Sequence, residues 1–177
     1  LVDIIIPRSA KITTDFENES MPAFIEETGF RQVILNLVIN AKDAIERKGK
    51  IKISLRKVKR GQPIMSGTVG EKQFAPAVGA ELSLTDNGKG IPDDLRQSLF
   101  EPFVTTKISG SGSGFGLYNT KIFVEDHNGL IGFASEMGKG TTFYLYIPLE
   151  DYEEDKPSQS VKRAKRATRA LIKTRKN

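Results

Sequence analysis

From residue 10 onward, apolar and polar positions alternate in short blocks that give way in places to helical spacing. Residues 10–16, AKITTDF, alternate as a strand does, behind the boundary set by Pro7. Residues 18–27 carry Glu, Asn, Ser and Pro and predict a loop with a short edge strand at 23–25. From Gly29 the period becomes helical: Phe30, Val33, Ile34, Leu37, Val38, Ala41, Ala44 and Ile45 share one face, with Gly49 as the expected C-cap. Ile51, Ile53 and Leu55 then alternate with Lys50, Lys52, Ser54 and Arg56 as a half-buried strand. Residues 57–79, rich in Gly, Pro, Ser and Lys, read as a long connection to a strand at 80–85, its antiparallel neighbour behind the helix. Ile91-Pro92-Asp93-Asp94 opens a short helix to about Leu99, with proline in its first turn and acids at its positive end. Gly116 to Asp126 is a further helix with Leu117, Ile122, Phe123 and Val124 inward, ended by His127-Asn128-Gly129. Strands at 130–135 and 141–148 flank a turn at 136–140, with Phe143, Leu145 and Ile147 inward against Thr142, Tyr144 and Tyr146. Three helical pieces and five strands predict an α/β, two-layer sandwich.

Candidate chemistry concentrates in residues 84–117. Asp86 places one carboxylate at a strand end, followed by the turn signal Asn87-Gly88. Gly88 and Gly90 permit positive φ and close approach of a ligand. Gly110, Gly112, Gly114 and Gly116 alternate into a helix start, where free N–H groups and the positive helix end suit phosphate. One acidic acceptor and one phosphate cradle point to a nucleotide. On the first long helix, Gln32, Asn36, Asn40 and Asp43 form a polar stripe, although asparagine is a poor helix-interior residue. Solvent-facing or bridging amides explain this stripe on spacing alone. The glycine arrays downstream turn the balance toward Asn40 as an oxygen ligand for Mg²⁺ held against phosphates. Phe100 and Phe103 around Pro102 are expected to anchor the intervening loop, and Lys107 lies close enough to the glycines to reach phosphate. His127, the single histidine, is expected to cap or pack at a helix C-terminus rather than to accept a phosphoryl group.

Composition narrows this without deciding it. The 177 residues contain no cysteine, so thiolate and disulfide chemistry are excluded, and one histidine makes a zinc site implausible. From Glu150 onward there are nine Lys/Arg against five Asp/Glu, so the overall +5 belongs mostly to the tail. The near-neutral body argues against a nucleic-acid-binding domain. The tail, residues 150–177, is expected to be a charged, disordered linker rather than an amphipathic helix. The opening LVDIIIP is too short for a signal peptide or a membrane span. Because the chain opens on Leu1, a fragment of a longer protein is expected. Three phosphate-binding signatures fail: Gly132 to Gly140 is one residue too long for a Walker A loop and has glycine after Lys139. The glycines also alternate too strictly for a dinucleotide fingerprint, and the HRD and DFG sequences of eukaryotic-type protein kinases are missing.

The ordered set QVILNLVINAKDA (32–44), DNGKGI (86–91), FEPFVTTK (100–107), the glycine run 110–117 and GKGTTF (138–143) resembles the GHKL family. Within it, the set is similar to the catalytic domain of two-component sensor histidine kinases, over about residues 11–149. That resemblance implies the Bergerat ATP-binding fold: a mixed, mainly antiparallel five-stranded sheet, three helices and a flexible ATP lid. It implies ATP and Mg²⁺ as cofactors, with Asp86 accepting from the adenine amino group, Gly88 and Gly90 against the base and Ile91 beneath it. Asn40 would coordinate Mg²⁺, with Asn36 and Asp43 on the same helix. Phe103, Thr106, Lys107, Gly112, Gly114, Phe115, Gly116 and Leu117 would surround the phosphates and lid, and Thr141 would support Asp86. In hydrolysing relatives a glutamate stands where this chain has Asn36, so the resemblance implies a kinase, with Asn36, Asn40 and Lys107 in the catalytic set. The implied partners are an upstream helical dimerisation and phosphoacceptor domain, of which residues 1–9 would be the end, and a response regulator receiver domain. The implied protein is a homodimer in a phosphorelay, with this domain cytoplasmic and the full-length chain open to membrane anchoring. A GHKL ATPase, a protein-serine kinase of the same fold and a non-catalytic nucleotide-binding scaffold remain the alternatives.

Overall fold

The computed structural model describes residues 10–46, 48–66, 71–105 and 114–149. The expectations for residues 1–9, Thr106, Lys107, Gly110, Gly112 and the tail 150–177 lie outside the described residues. The element order is β1 (Lys11–Phe16), α1 (Glu27–Ala44), β2 (Lys50–Val58), β3 (Pro63–Ser66), β4 (Glu71–Phe74), β5 (Gly79–Asp86), α2 (Gly116–Asp126), β6 (Leu130–Glu136) and β7 (Gly140–Pro148). Five strands form one sheet in the order β1-β2-β5-β7-β6. β1 runs parallel to β2, and the other neighbours are antiparallel. The alternation predicts five strands, and the mixed, mainly antiparallel sheet is the one the family resemblance implies.

One face of that sheet takes both helices. Val33, Leu37, Val38 and Ala41 of α1 and Val124 of α2 pack on Ile51, Ile53, Leu82, Leu84, Phe133, Phe143 and Leu145. Leu37, Ile51 and Leu84 are fully buried, each worth about 1.5–3 kcal/mol of transfer free energy. α1 begins two residues before Gly29, because the Glu26 carboxylate accepts from the N–H groups of Thr28 (2.7 Å) and Gly29. Those two bonds hold the Glu26 carboxyl below its ordinary 4.5. Gly29 is required instead by α2, since a Cβ there would enter the Phe123 ring. α1 also ends earlier than Gly49, at Ala44, with Ile45 already extended. Gly49 serves the sheet edge: its carbonyl accepts from Lys11 N–H at 2.7 Å, and a Cβ would strike Ile45.

Further expectations change. The connection 57–79 contains the hairpin β3–β4, which covers the face of the sheet away from the helices. Tyr146, placed outward by alternation, is therefore buried with Val58, Ile64 and Ala75, and its hydroxyl donates to Ala77 O at 2.8 Å. The short helix after Pro92 is only a 3-10 turn, Asp93–Leu95, followed by turns to Phe100, and Arg96 brings its guanidinium back to Asp93 and to the Ile91 carbonyl. The described residues thus hold two α-helices, not three. No strand forms at 23–25, and on α2 the buried positions are Thr120 and Val124, leaving Ile122 40% exposed.

Candidate functional site

Asp86 ends β5 in the middle of the sheet and is 4% exposed. Its Oδ1 accepts from Gly88 N–H at 2.7 Å and from Thr141 N–H at 3.3 Å. Among the described residues both of its hydrogen bonds fall on Oδ1, leaving Oδ2 as an acceptor. Burial pushes its carboxyl above the ordinary 3.8, against the pull of the Gly88 and Thr141 N–H groups. Thr141 therefore does support Asp86 directly, but through its backbone. Its hydroxyl turns to Ser135 Oγ, 3.0 Å away.

The loop after Asp86 is tied down at several of its residues. Asn87 N–H donates to Lys50 O and Asn87 Oδ1 accepts from Lys50 N–H at 2.6 Å. Lys89 N–H reaches the α1 terminus at Ala44 O, 2.9 Å, and Lys89 O accepts from Gly138 N–H at 2.8 Å. The glycines here answer to these approaches. A Cβ on Gly88 would strike the Ala44 backbone at 2.6 Å, and one on Gly90, at φ +79°, would strike Glu136 O. Gly140, at φ +119°, abuts Asp86 O in the same way. Close contact of this loop with the protein itself thus accounts for glycine at 88 and 90, where the sequence suggests close approach by a ligand.

α1, whose Ala44 carbonyl holds Lys89 N–H of this loop, also carries the polar stripe. The Asn36 amide is used at both ends: Oδ1 accepts from Gln32 Nε2 at 2.9 Å, and Nδ2 donates to Gly116 O at 3.2 Å. Asn36 thus bridges the helices and fixes the start of α2, the bridging-amide role left open by its spacing. Asn40, one turn on and half-buried, has no side-chain hydrogen bond to another described residue. Asp43 is exposed at the same end of α1. Ile91 is half-buried, with its N–H on Ser135 Oγ at 2.9 Å.

The two ends of the segment between Phe103 and Gly114 meet. Phe103, at φ +68° and 71% exposed, stacks edge-on with Phe115 at 4.7 Å between centroids. A Cβ on Gly114, φ +70°, would lie 2.5 Å from the Phe103 carbonyl carbon. Phe100 and Phe103 therefore divide their work: Phe100 is buried against Phe133, while Phe103 stays at the surface. Leu117 packs on the core beside the start of α2. His127 caps α2; its Nδ1 lies 2.7 Å from Phe123 O, which can only accept, and its Nε2 takes the Glu26 N–H at 3.3 Å.

Ser135 and Arg96 escape the sequence reading. Each looks like an isolated polar residue, and only a serine on the strand before the 136–140 turn hints at a role. Among the described residues no cluster of His, Asp and Glu suits a metal, and no helix is long and apolar enough to cross a membrane.

Comparison with known proteins agrees with this geometry. Residues 25–151 match the family described as histidine kinase-, DNA gyrase B-, and HSP90-like ATPase. The sensor histidine kinase ZraS of Escherichia coli (strain K12) is 34% identical over 139 residues, covering 78% of this chain and 26% of ZraS. The sensor kinase CckA of Brucella abortus (strain 2308) is 31% identical over 144 residues, 81% of this chain and 15% of CckA. The chain therefore spans about a quarter or less of these relatives. A nucleotide-free catalytic domain of histidine kinase ThkA superposes with a TM-score of 0.60 at 28% identity, over 80% of each chain. A buried carboxylate at a strand end, an amide-bearing helix opposite it and this match over most of the chain place the protein in the histidine kinase-, DNA gyrase B- and HSP90-like ATPase family, as an ATP-binding catalytic domain of the sensor histidine kinase type.

Proposed function

We propose that this domain, residues 10–149, binds ATP with Mg²⁺ and transfers the γ-phosphoryl group to a histidine on a separate helical domain. The observation that carries the reading is Asp86, buried at a strand end with Oδ1 occupied and Oδ2 left as an acceptor. An exocyclic amine is the complementary donor, and adenine carries one. Gly88, Gly90 and Ile91 then form the wall beside the base. The phosphates extend toward the start of α2, where Gly114, Phe115, Gly116 and Leu117 stand and where Asn36 holds the Gly116 carbonyl. The resemblance assigns Thr106, Lys107 and Gly112 to the phosphates as well.

The donor set suits a magnesium ion bound chiefly by substrate. Mg²⁺ keeps several waters and phosphate oxygens and commonly takes only one or two protein oxygens. Asn40 is the amide oxygen available for it, since Asn36 is already used. With Mg²⁺ bound, charge on the phosphate oxygens is offset; positioning and charge stabilisation are then the protein's share. Asn36 carries no base, and its amide is engaged with Gln32 and Gly116, which supports transfer to an incoming histidine over activation of water. His127 is engaged by Phe123 and Glu26, so the acceptor histidine is supplied by a separate helical dimerisation domain. A response regulator receiver domain takes the group next, in a homodimeric and cytoplasmic kinase region whose full-length protein is membrane-anchored or free. Residues 150–177 serve as a linker.

The test supplies this chain with a separately produced helical domain bearing the histidine, γ-labelled ATP and Mg²⁺. Acid-labile label on the helical domain, lost in Asn40→Ala, is the expected result. Release of free phosphate at an equal rate with and without that domain would make the protein an ATPase instead.

A further inference from the structure

The loop from Asp86 to Ile91 is anchored at its far end by two side chains with no part in the function just proposed. Ser135 Oγ accepts from Ile91 N–H at 2.9 Å and donates to Gly140 O at 3.1 Å. A carbonyl only accepts, so the single hydroxyl proton goes there and Thr141 Oγ1, at 3.0 Å, must be the donor in the third bond. The serine hydroxyl is then fully used, and Thr141 is held from behind while its backbone N–H holds Asp86 Oδ1. Arg96 repeats the tie at the level of carbonyls. Its Nε donates to Ile91 O at 3.3 Å and its Nη2 to Ser135 O at 3.0 Å, while Asp93 pairs with the guanidinium at 2.9 Å. The Arg96 side chain is only 27% exposed, so these bonds are partly shielded from water. Ile91 and Ser135 are thus joined in two ways: directly, and by one arginine gripping both carbonyls.

We propose that Ser135 and Arg96 are positioning residues for base selection: they lock the Ile91 end of the loop to the β6–β7 hairpin and so fix the direction in which Asp86 presents Oδ2. This rests on the adenine-nucleotide reading above. A carboxylate oxygen discriminates an amine from a carbonyl at the same ring position only if its direction is fixed, because a free one rotates to a solvated alternative. Loosening the tie should therefore weaken binding of the amine-bearing base while leaving the oxo base almost unaffected.

The experiment is calorimetric titration of the full chain with ADP and with inosine diphosphate, which carries an oxo group in place of the 6-amine. Ser135→Ala and Arg96→Met are expected to lower ADP affinity about five- to tenfold, the worth of roughly one hydrogen bond, and to narrow the ADP-to-IDP ratio equally. Ser135→Thr and Arg96→Lys, which keep a hydroxyl and one cationic donor, should recover most of that ratio. A role in stability alone would lower the melting temperature and leave the ratio unchanged, and that result would overturn the proposal. Should Ser135→Ala not fold, as judged by circular dichroism, the ratio in Arg96→Met decides. If the unmodified chain binds neither nucleotide, the ATP reading itself falls and takes this inference with it.

Discussion

The two ends of the proposed site are built in different ways. At the base end, the Asp86–Ile91 loop is wired into four other pieces of the protein, at Lys50, Ala44, Gly138 and Ser135. At the proposed phosphate end, the described ties include the ring pair Phe103–Phe115 and the hydrogen bonds that Asn36 Nδ2 and Thr120 Oγ1 donate to Gly116 O. A flat base with one amine needs a donor–acceptor match set in advance. Phosphate is charged on every side, so it asks for no single acceptor or donor direction. The lesson is that pre-organisation here sits where a single hydrogen bond must discriminate.

Breaking the base end should cost the most. Gly140→Ala forces a side chain into φ +119° and against Asp86 O, with an expected loss of about 3 kcal/mol in urea unfolding. Asn36→Ala removes the tie between α1 and the start of α2, and about 1 kcal/mol of stability should go with it. Phe103→Ala removes an exposed ring from its pair with Phe115, for about 0.5–1 kcal/mol in the same assay.

The smallest effect is one of pH, and its sign is specific. Asp86 is raised above 3.8 in the folded chain, so the folded state binds the proton more tightly than the unfolded one. Its burial penalty is absent below 3.8 and complete above the raised folded value, so stability falls as pH rises through that window. Asp86→Asn keeps an oxygen for Gly88 and Thr141 and has nothing to titrate. Its unfolding free energy should therefore lack that slope, which thermal melts across the window would show.

Much of this was legible in the sequence, for physical reasons. The strands and α1 declare themselves because one face of each is buried and the other is not, as with Ile51 and Ile53 against Lys50 and Lys52. Asp86 stood out because a carboxylate at a buried strand end needs a partner. The β3–β4 hairpin was hidden because its strands are only four residues each and are flanked in sequence by Gly61, Gly67, Gly70 and Pro76. Once it is missed, Tyr146 reads as a solvent-facing residue, since only the hairpin covers it. Gly88 and Gly90 were visible, but not their cause: the backbones they abut come from α1 and from β6, distant in sequence. Ser135 and Arg96 were invisible because their partners are mainly backbone atoms, which leave no residue-type signal.

Calorimetric titration of ATP with Mg²⁺ into the unmodified chain and into Asp86→Asn tests the central claim most directly. Asparagine preserves the Oδ1 bonds and offers an NH₂ donor where the carboxylate offered Oδ2. Donor facing donor, together with loss of a bond to a charged group, should weaken binding about a hundredfold or more. Equal affinity for ATP in the two proteins, both folded, would contradict Asp86 as the base-reading residue and with it the site described above.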